Sequence, residues 1–549
     1  MKSVLQIIFL LVFFVNLANA SDNPLWISRY NGTSNGIDEI SSMTVDNSGN
    51  VYVTGRSQGG SSNYDYLTIK YNTNGDTLWA KRYNGPGNSI DEANDITLDN
   101  QGNVYVTGRS VDVSLNTDYA TIKYNSNGDV VWLQRYNGPG NQDDNAYSLA
   151  VDEFYNVYVT GRSIGITSGA DYATVRYNSS GILQWVSRYN GIGNFTDNAY
   201  SICYYGGSLF VTGMSMNTFN SSISADYVTI KYNLAGDSVW VKRYNGPGNN
   251  YDEPKKMLLD NSGNVYVTGL SRNTSAPESA DFLTIKYSNA AGDSLWVKRY
   301  NGPGNNLDEA NSLAIDILGN VYVVGVSVAS LTGYDFTTVK YDISGAEQWV
   351  ARYNFAPPNG YDEATDVALD NVGNVYVTGF SAVITGTGDF VTIKYNPSGT
   401  QQWSHRYNGP GNNSDAAWRI ARDSAGFIYV AGNSNNAGLN VDYTTIKYDK
   451  TTGIKNISSI IPERYSLSQN YPNPFNPVTN LEFLIANSGF ASLKIFDIKG
   501  NEVAHLVNQN LTAGKYKITF DGSNLSSGIY YYQLNVNDFS ETKKMILIK

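Results

Sequence analysis

The chain has 549 residues, a formal net charge of −11, 43 tyrosines, 52 glycines, two histidines and one cysteine. That acidity disfavours nucleic acid or an anionic membrane as partner. A single cysteine excludes an intrachain disulfide, so a hydrophobic core must supply the stability, and a chain this long can build one.

Residues 1–20 read as a secretory signal peptide: Lys2 gives the positive start, Leu5 to Val15 the apolar run and Ala18-Asn19-Ala20 the cleavage signal. No later stretch reaches the 18 apolar residues of a spanning helix, so no transmembrane segment is expected. The mature chain is expected to be secreted or held at the cell surface, by way of the periplasm.

Residues 21–450 repeat one pattern: Trp-x-x-Arg-Tyr-Asn-Gly, an Asp-led loop, Val-Tyr-Val-Thr-Gly, then Asp-Tyr-x-Thr-Ile-Lys-Tyr. Its anchors are Trp26, Trp79, Trp132, Trp185, Trp240, Trp296, Trp349 and Trp403, spaced 53 to 56 residues apart. In the second unit the strand-like runs are Asp95–Asp99, Val104–Thr107, Tyr119–Tyr124 and Val130–Tyr136, parted by turns ending in Gly102 and Gly128. A fixed period near 50 with four short strands per unit predicts an all-β, eight-bladed β-propeller of four-stranded blades. The first strands of the blades are expected to start near Ser42, Asp95, Ser148, Ser201, Lys256, Ser312, Asp366 and Arg419. The last blade has three strands of its own, while Leu25–Tyr30 stands alone in front of the first. The N-terminal strand is therefore expected to close the ring by pairing with the last blade, which leaves no long open edge. Cys203 falls in a slot held elsewhere by Thr44, Thr97, Ala150, Ala314 and Ala368, and reads as a core residue.

The run Asp-x-x-Gly-Asn-Val-Tyr-Val-Thr-Gly, at Asp46–Gly55, Asp99–Gly108, Asp260–Gly269 and Asp370–Gly379, resembles the bacterial β-propeller repeat family known as SBBP. The resemblance covers nearly all of 25–450 and implies the fold; it implies no common reaction. The fourth unit departs from it, with Tyr204-Tyr205-Gly206-Gly207 where the turn Asp should stand.

Residues 451–464 read as a linker and 465–549 as a small antiparallel sandwich, from short alternating strands punctuated by Gly and Pro. Its Asn470-Tyr471-Pro472-Asn473-Pro474-Phe475-Asn476-Pro477 string and Lys543–Lys549 tail resemble the C-terminal sorting domain of type IX secretion cargo. That resemblance implies an immunoglobulin-like fold and the type IX machinery as partner.

No catalytic set is legible. His405 sits in a Trp strand, in the slot of Lys81, Gln134, Ser187, Lys242 and Lys298, and reads as a solvated position; His505 stands outside the repeats. Asp38, Asp91, Asp144, Asp197, Asp252, Asp308, Asp362 and Asp415 recur in the interblade loops. They either form an acidic ring able to hold Ca²⁺ or build a repeated turn by accepting backbone N–H bonds. No other cofactor is expected. The Arg of each Arg-Tyr pair and the Lys of each Ile-Lys-Tyr are expected to make internal ion pairs or hydrogen bonds. Binding is expected where the units differ, on the loops after Val-Tyr-Val-Thr-Gly and at the residue three after each Asp. There Tyr147, Tyr200 and Trp418 are candidate stacking platforms for sugar rings. The leading expectation is a non-catalytic scaffold for binding or adhesion, with carbohydrate or a surface protein as ligand. The alternatives are a polysaccharide lyase or glycoside hydrolase, which would need an asymmetric carboxylate pair, and a structural surface-layer component.

Overall fold

Val, Ile, Thr and Tyr fill the repeated runs, and such side chains suit a sheet packed on both faces; Asp, Asn and Gly fill the intervals and turn the chain. The computed structural model describes residues 24–32, 34–60, 63–217, 224–274, 280–329, 332–355, 360–382, 388–436, 440–448, 455–458, 461–522 and 525–549. The segment read as a signal peptide, 1–20, lies outside them, as do parts of six of the variable loops, at 61–62, 218–223, 275–279, 330–331, 383–387 and 437–439. Among the described residues the fold is all-β, and no helix is long and apolar enough to cross a membrane. The chain divides into two units, Asn23–Lys450 and a second holding Thr451–Lys549.

In the first unit, Asp91–Leu98, Val104–Val111, Thr117–Tyr124 and Val130–Tyr136 form an antiparallel sheet in chain order. The same order recurs from Asp38–Val45 to Thr77–Tyr83, Asp144–Val151 to Leu183–Tyr189, Asp197–Tyr205 to Ser238–Tyr244 and Asp252–Leu259 to Ser294–Tyr300. The sets Asp308–Ile315 to Glu347–Tyr353 and Gly360–Leu369 to Gln401–Tyr407 repeat it again, joined by a short parallel pairing of Gly333 with Gly360 and Tyr334 with Tyr361. The last set, Asp415–Arg422, Ile428–Asn435 and Val441–Tyr448, takes its fourth strand from the front of the chain. Trp26–Tyr30 runs antiparallel to Val441–Tyr448, with Trp26 opposite Lys447 and Tyr30 opposite Tyr443.

One expectation needs correcting. Seven of the first strands begin at the recurring Asp, four residues before the starts at Ser42, Asp95 and their equivalents, and the seventh set begins two residues earlier still, at Gly360. The pattern hides this because the register shifts within each strand, between Ala93 and Asp95 for example, so that Asn94 is a β-bulge.

The cores lie between sheets. Tyr52 and Tyr66 of the first set pack on Ile96, Val106 and Ile122 of the second. Tyr105, Tyr119 and Trp132 of the second pack on Ala146, Val159 and Val175 of the third. Tyr429 and Tyr443 of the last set share a core with Ile40, Val53 and Leu67 of the first. The first strands of successive sets lie side by side, and Asp38–Val45 lies beside both Asp91–Leu98 and Asp415–Arg422.

Each Trp ties its sheet to the next. Trp79 Nε1 donates to Ser126 O at 3.2 Å, and its ring covers Gly128, whose φ of 83° is the left-handed conformation glycine favours. A Cβ on Gly128 would lie 2.8 Å from that indole. Trp26 repeats the contact, donating to Thr73 O at 2.9 Å and covering Gly75.

The second unit has two four-stranded sheets around one core that includes Leu481, Phe483, Leu493, Ile495, Ile518, Tyr532 and Leu534. Lys455–Ser458, within the segment read as a linker, pairs with Gly514–Asp521 as an edge strand of this unit.

Candidate functional site

The turn after each first strand explains its own sequence. Asp99 accepts the N–H groups of Gln101 and Asn103 at 2.9 Å, the Asn103 amide at 2.7 Å and the Tyr105 hydroxyl at 2.9 Å. Asp-x-x-Gly-Asn-x-Tyr is thus one hydrogen-bonded device. Where the fourth unit lacks the Asp, Gly206 and Gly207 both take positive φ and Tyr204 stacks on Tyr158, centroids 6.1 Å apart.

The eight recurring aspartates stand at the opposite end of the same strands. All are fully buried. Asp91 accepts Gly85 N–H at 2.6 Å and Val111 N–H at 3.1 Å; Asp252 and Asp308 accept Gly246 and Gly302 N–H at 2.6 Å. The Asp38 carboxylate also takes the Ser57 hydroxyl. Burial, only partly offset by these hydrogen bonds, raises the carboxyl pKa of Asp197, Asp252 and Asp308 to about 6. Each carboxylate thus accepts a backbone N–H from its own turn, while the second oxygen of Asp197, Asp252, Asp308 and Asp362 is buried without a hydrogen-bond partner among the described residues. Among the described residues, no group of three or more His, Cys, Asp or Glu side chains has an arrangement that could hold a metal ion.

The recurring Arg and Lys are internal as well. Arg135 reaches Asp118 at 2.9 Å, the Ser110 carbonyl at 2.8 Å and Tyr83 Oη of the preceding sheet at 3.1 Å. Lys123 lies 5.1 Å from the Tyr105 ring centroid. His405 corrects the expectation of a solvated side chain: it is half-buried, with Nδ1 2.9 Å from Tyr448 Oη. Burial lowers its pKa to about 4. Cys203 packs against the core beside Met257, and burial raises its thiol pKa to about 11.

The variable positions behave differently. Ser41, Asn94, Tyr147, Tyr200, Lys255, Asn311, Thr365 and Trp418 are the bulge residues of the first strands. Bulges turn a side chain out of the regular alternation and recur beside functional sites. Several bridge to the next sheet: Asn94 Nδ2 donates to Ala146 O at 2.7 Å, Asn311 Nδ2 to Ala364 O at 2.9 Å and Thr365 Oγ1 to Ala417 O at 2.9 Å. Tyr147 and Tyr200 lean on each other, centroids 5.7 Å apart. Trp418 is remote from them and tilts against Phe380, centroids 6.0 Å apart.

The charges beside these bulges divide along the series of sheets. Glu39 and Glu92 share Arg56, and Glu92 also meets Arg109 at 2.6 Å. Opposite Glu253, Glu309 and Glu363, where the first sheets carry Arg, stand Leu270, Val326 and Phe380. Lys255 alone bridges Glu253 and Glu309, at 3.1 Å each. Burial opposes its charge, but the two carboxylates outweigh that and raise its pKa. Glu363 is raised by burial, although it accepts the Tyr361 hydroxyl at 2.8 Å and the Asn311 amide at 3.0 Å. Sequence reasoning missed this division because the Glu repeats while its cross-strand partner changes.

On the same face, Trp418, Asn433, Glu39, Ser41, Arg56 and Asn94 line a cavity of about 260 Å³, together with Ile40 and Glu92.

Comparison with known proteins supports the export domain and the repeat. A family model described as a beta-propeller repeat matches residues 27–61, 78–110, 131–166, 239–274, 295–329 and 402–440. A model described as a secretion system C-terminal sorting domain matches residues 469–549, which implies export by a type IX system to the cell surface or beyond. An uncharacterized WD repeat-containing protein of Acanthamoeba polyphaga mimivirus is 24% identical over 384 residues, 63% of this chain and 24% of that protein. PorZ, a surface component of the type IX secretion system of Porphyromonas gingivalis, aligns with a TM-score of 0.40 and 14% identity over 93% of this chain and 65% of its own. An α-L-arabinanase of Penicillium chrysogenum aligns with a TM-score of 0.30 and 14% identity over 55% of this chain and 92% of its own. The chain therefore spans about a quarter of the mimivirus relative and 65% of PorZ. With its repeats and its terminal domain both matched, this chain is an SBBP-type β-propeller repeat protein that ends in a type IX secretion sorting domain.

Proposed function

We propose that the chain is an exported eight-bladed propeller, closed by its N-terminal strand, that serves as a non-catalytic binding or adhesion scaffold. Carbohydrate or a surface protein would meet the face that carries the bulges and variable loops. One observation carries this reading: the Asp at each strand start has the same role throughout, while the bulge residue three positions on differs in chemistry around the mouth. Shared parts build the scaffold; unshared parts on a rigid frame are free to select a ligand. The pairing of Trp26–Tyr30 with Val441–Tyr448, and the core that the last set shares with the first, support ring closure. In this reading residues 1–20 are removed on export, 21–450 form the ring, 451–464 connect it and 465–549 engage the type IX machinery. A glycan array and a polysaccharide turnover screen on the exported chain test it together. Binding without turnover is expected. Turnover would instead make it an enzyme, and silence in both, with no surface-protein partner on whole cells, would make it a structural surface component.

A further inference from the structure

Resting on that reading and deepening it, we infer that the cavity between the last sheet and the first two is a subsite for one neutral pyranose ring. Trp418 is the ninth tryptophan of the chain and stands outside the eight anchors that tie the sheets together. The fold gives it no role like theirs, yet it occupies a bulge and walls a cavity. Phe380 braces its ring at 6.0 Å, and Arg419 holds its carbonyl at 2.9 Å. At about 260 Å³ the cavity is just below the ~300–1,000 Å³ of sites for small-molecule ligands, which limits it to a single ring.

Its polar lining mixes donors and acceptors. Asn433 Oδ1 accepts Ile40 N–H at 2.8 Å, which fixes the amide and leaves its NH₂ group without a partner among the described residues. Asn94 spends its NH₂ on Ala146 O, which leaves its Oδ1 as an acceptor. Glu39 and Glu92 sit on either side of Arg56. An indole face beside paired donors and acceptors matches a sugar ring, with its apolar C–H face and rim of hydroxyls. The carboxylates of the lining are paired with guanidiniums, Glu92 with Arg109 as well as Arg56, so the lining offers no spare charge to an anionic sugar.

The test uses the full exported chain labelled with 5-fluorotryptophan and observed by ¹⁹F NMR, with the Trp418 resonance assigned from Trp418→Phe. The probes are methyl glucoside, galactoside, mannoside and xyloside, and methyl glucuronide, each to 50 mM. At least one neutral glycoside should move the Trp418 signal with millimolar affinity. The glucuronide should bind at least tenfold more weakly, and Asn433→Ala should weaken the neutral glycoside at least tenfold. The eight other tryptophan signals report whether that variant is folded. A Trp418 signal unmoved by every glycoside overturns the inference, as does full affinity in a folded Asn433→Ala. If the glycan array still binds while Trp418 is silent, the subsite falls and the scaffold reading stands. If neither responds and no surface-protein partner is found, both fall.

Discussion

Removing the Trp26 side chain should weaken the first unit about as much as removing an internal anchor such as Trp79, although Trp26 sits near the chain's beginning. Its ring lies 6.4 Å from Tyr71 and 6.1 Å from Tyr429, covers Gly75 and donates to Thr73 O at 2.9 Å. A fully buried Trp→Ala costs about 3–5 kcal/mol. Trp26 is half-buried, so about 2 kcal/mol is expected from packing, and the lost indole hydrogen bond adds about 1 kcal/mol. Asn23–Lys450 holds roughly 430 residues, and at about 2.1 cal/mol/K per residue the unfolding entropy is about 0.9 kcal/mol/K. Trp26→Ala should then lower the Tm by about 3 °C in scanning calorimetry, and Trp79→Ala by a similar amount. Deleting residues 24–30 should cost far more, since it bares one edge of Val441–Tyr448, and a synthetic peptide of that segment should recover part of the loss. A Trp26→Ala shift under 0.5 °C beside a normal Trp79→Ala shift would refute the reasoning.

Gly128→Ala should destabilise more than Gly102→Ala: both glycines have φ near 80°, but the new methyl at 128 meets the Trp79 ring at 2.8 Å, whereas at 102 the nearest atom is 3.8 Å away. The φ cost alone is about 1 kcal/mol, and urea unfolding would separate the two variants. His405, at about 4 when folded and near 6.5 when unfolded, favours folding fully above pH 6.5 and loses that contribution as pH falls toward 4. Relative to wild type, His405→Gln should therefore lose less stability over that window; parallel pH profiles would contradict the assignment. The raised carboxyls work in the opposite sense. Asp197, Asp252 and Asp308 bind protons more readily in the folded state, so ¹³C carboxyl signals should titrate near pH 6 and these groups should add stability as pH falls from 7 to 4. Because each of these aspartates accepts a backbone N–H of its own turn, EDTA should leave the Tm within about 1 °C; a rise of several degrees on adding Ca²⁺ would show that these carboxylates bind the ion.

What the sequence disclosed was local. The period, the strand runs, the glycine turns and the unpaired Trp26 strand are written in contiguous residues, so they could be read directly. The buried state of Asp91 was harder, because its partners Gly85 and Val111 are set by the strand register and a spacing between them does not disclose a bond. The bulge at Asn94 has no sequence mark. His405 looked solvated because its strand slot holds Lys, Gln or Ser in other units; the structure half-buries that slot in those units as well, and the contact with Tyr448 is what the sequence could not disclose. The Trp418 cavity was out of reach: its walls come from residues 39–94 and 418–433, brought together only when the last set meets the first.

The pairing of Trp26–Tyr30 with Val441–Tyr448 also sets an order in time. The earliest described strand to be synthesised waits for the latest strand of the unit, so this pairing cannot form until residue 448 has been made. In an exported chain the two strands can therefore meet only once both stand on the same side of the membrane.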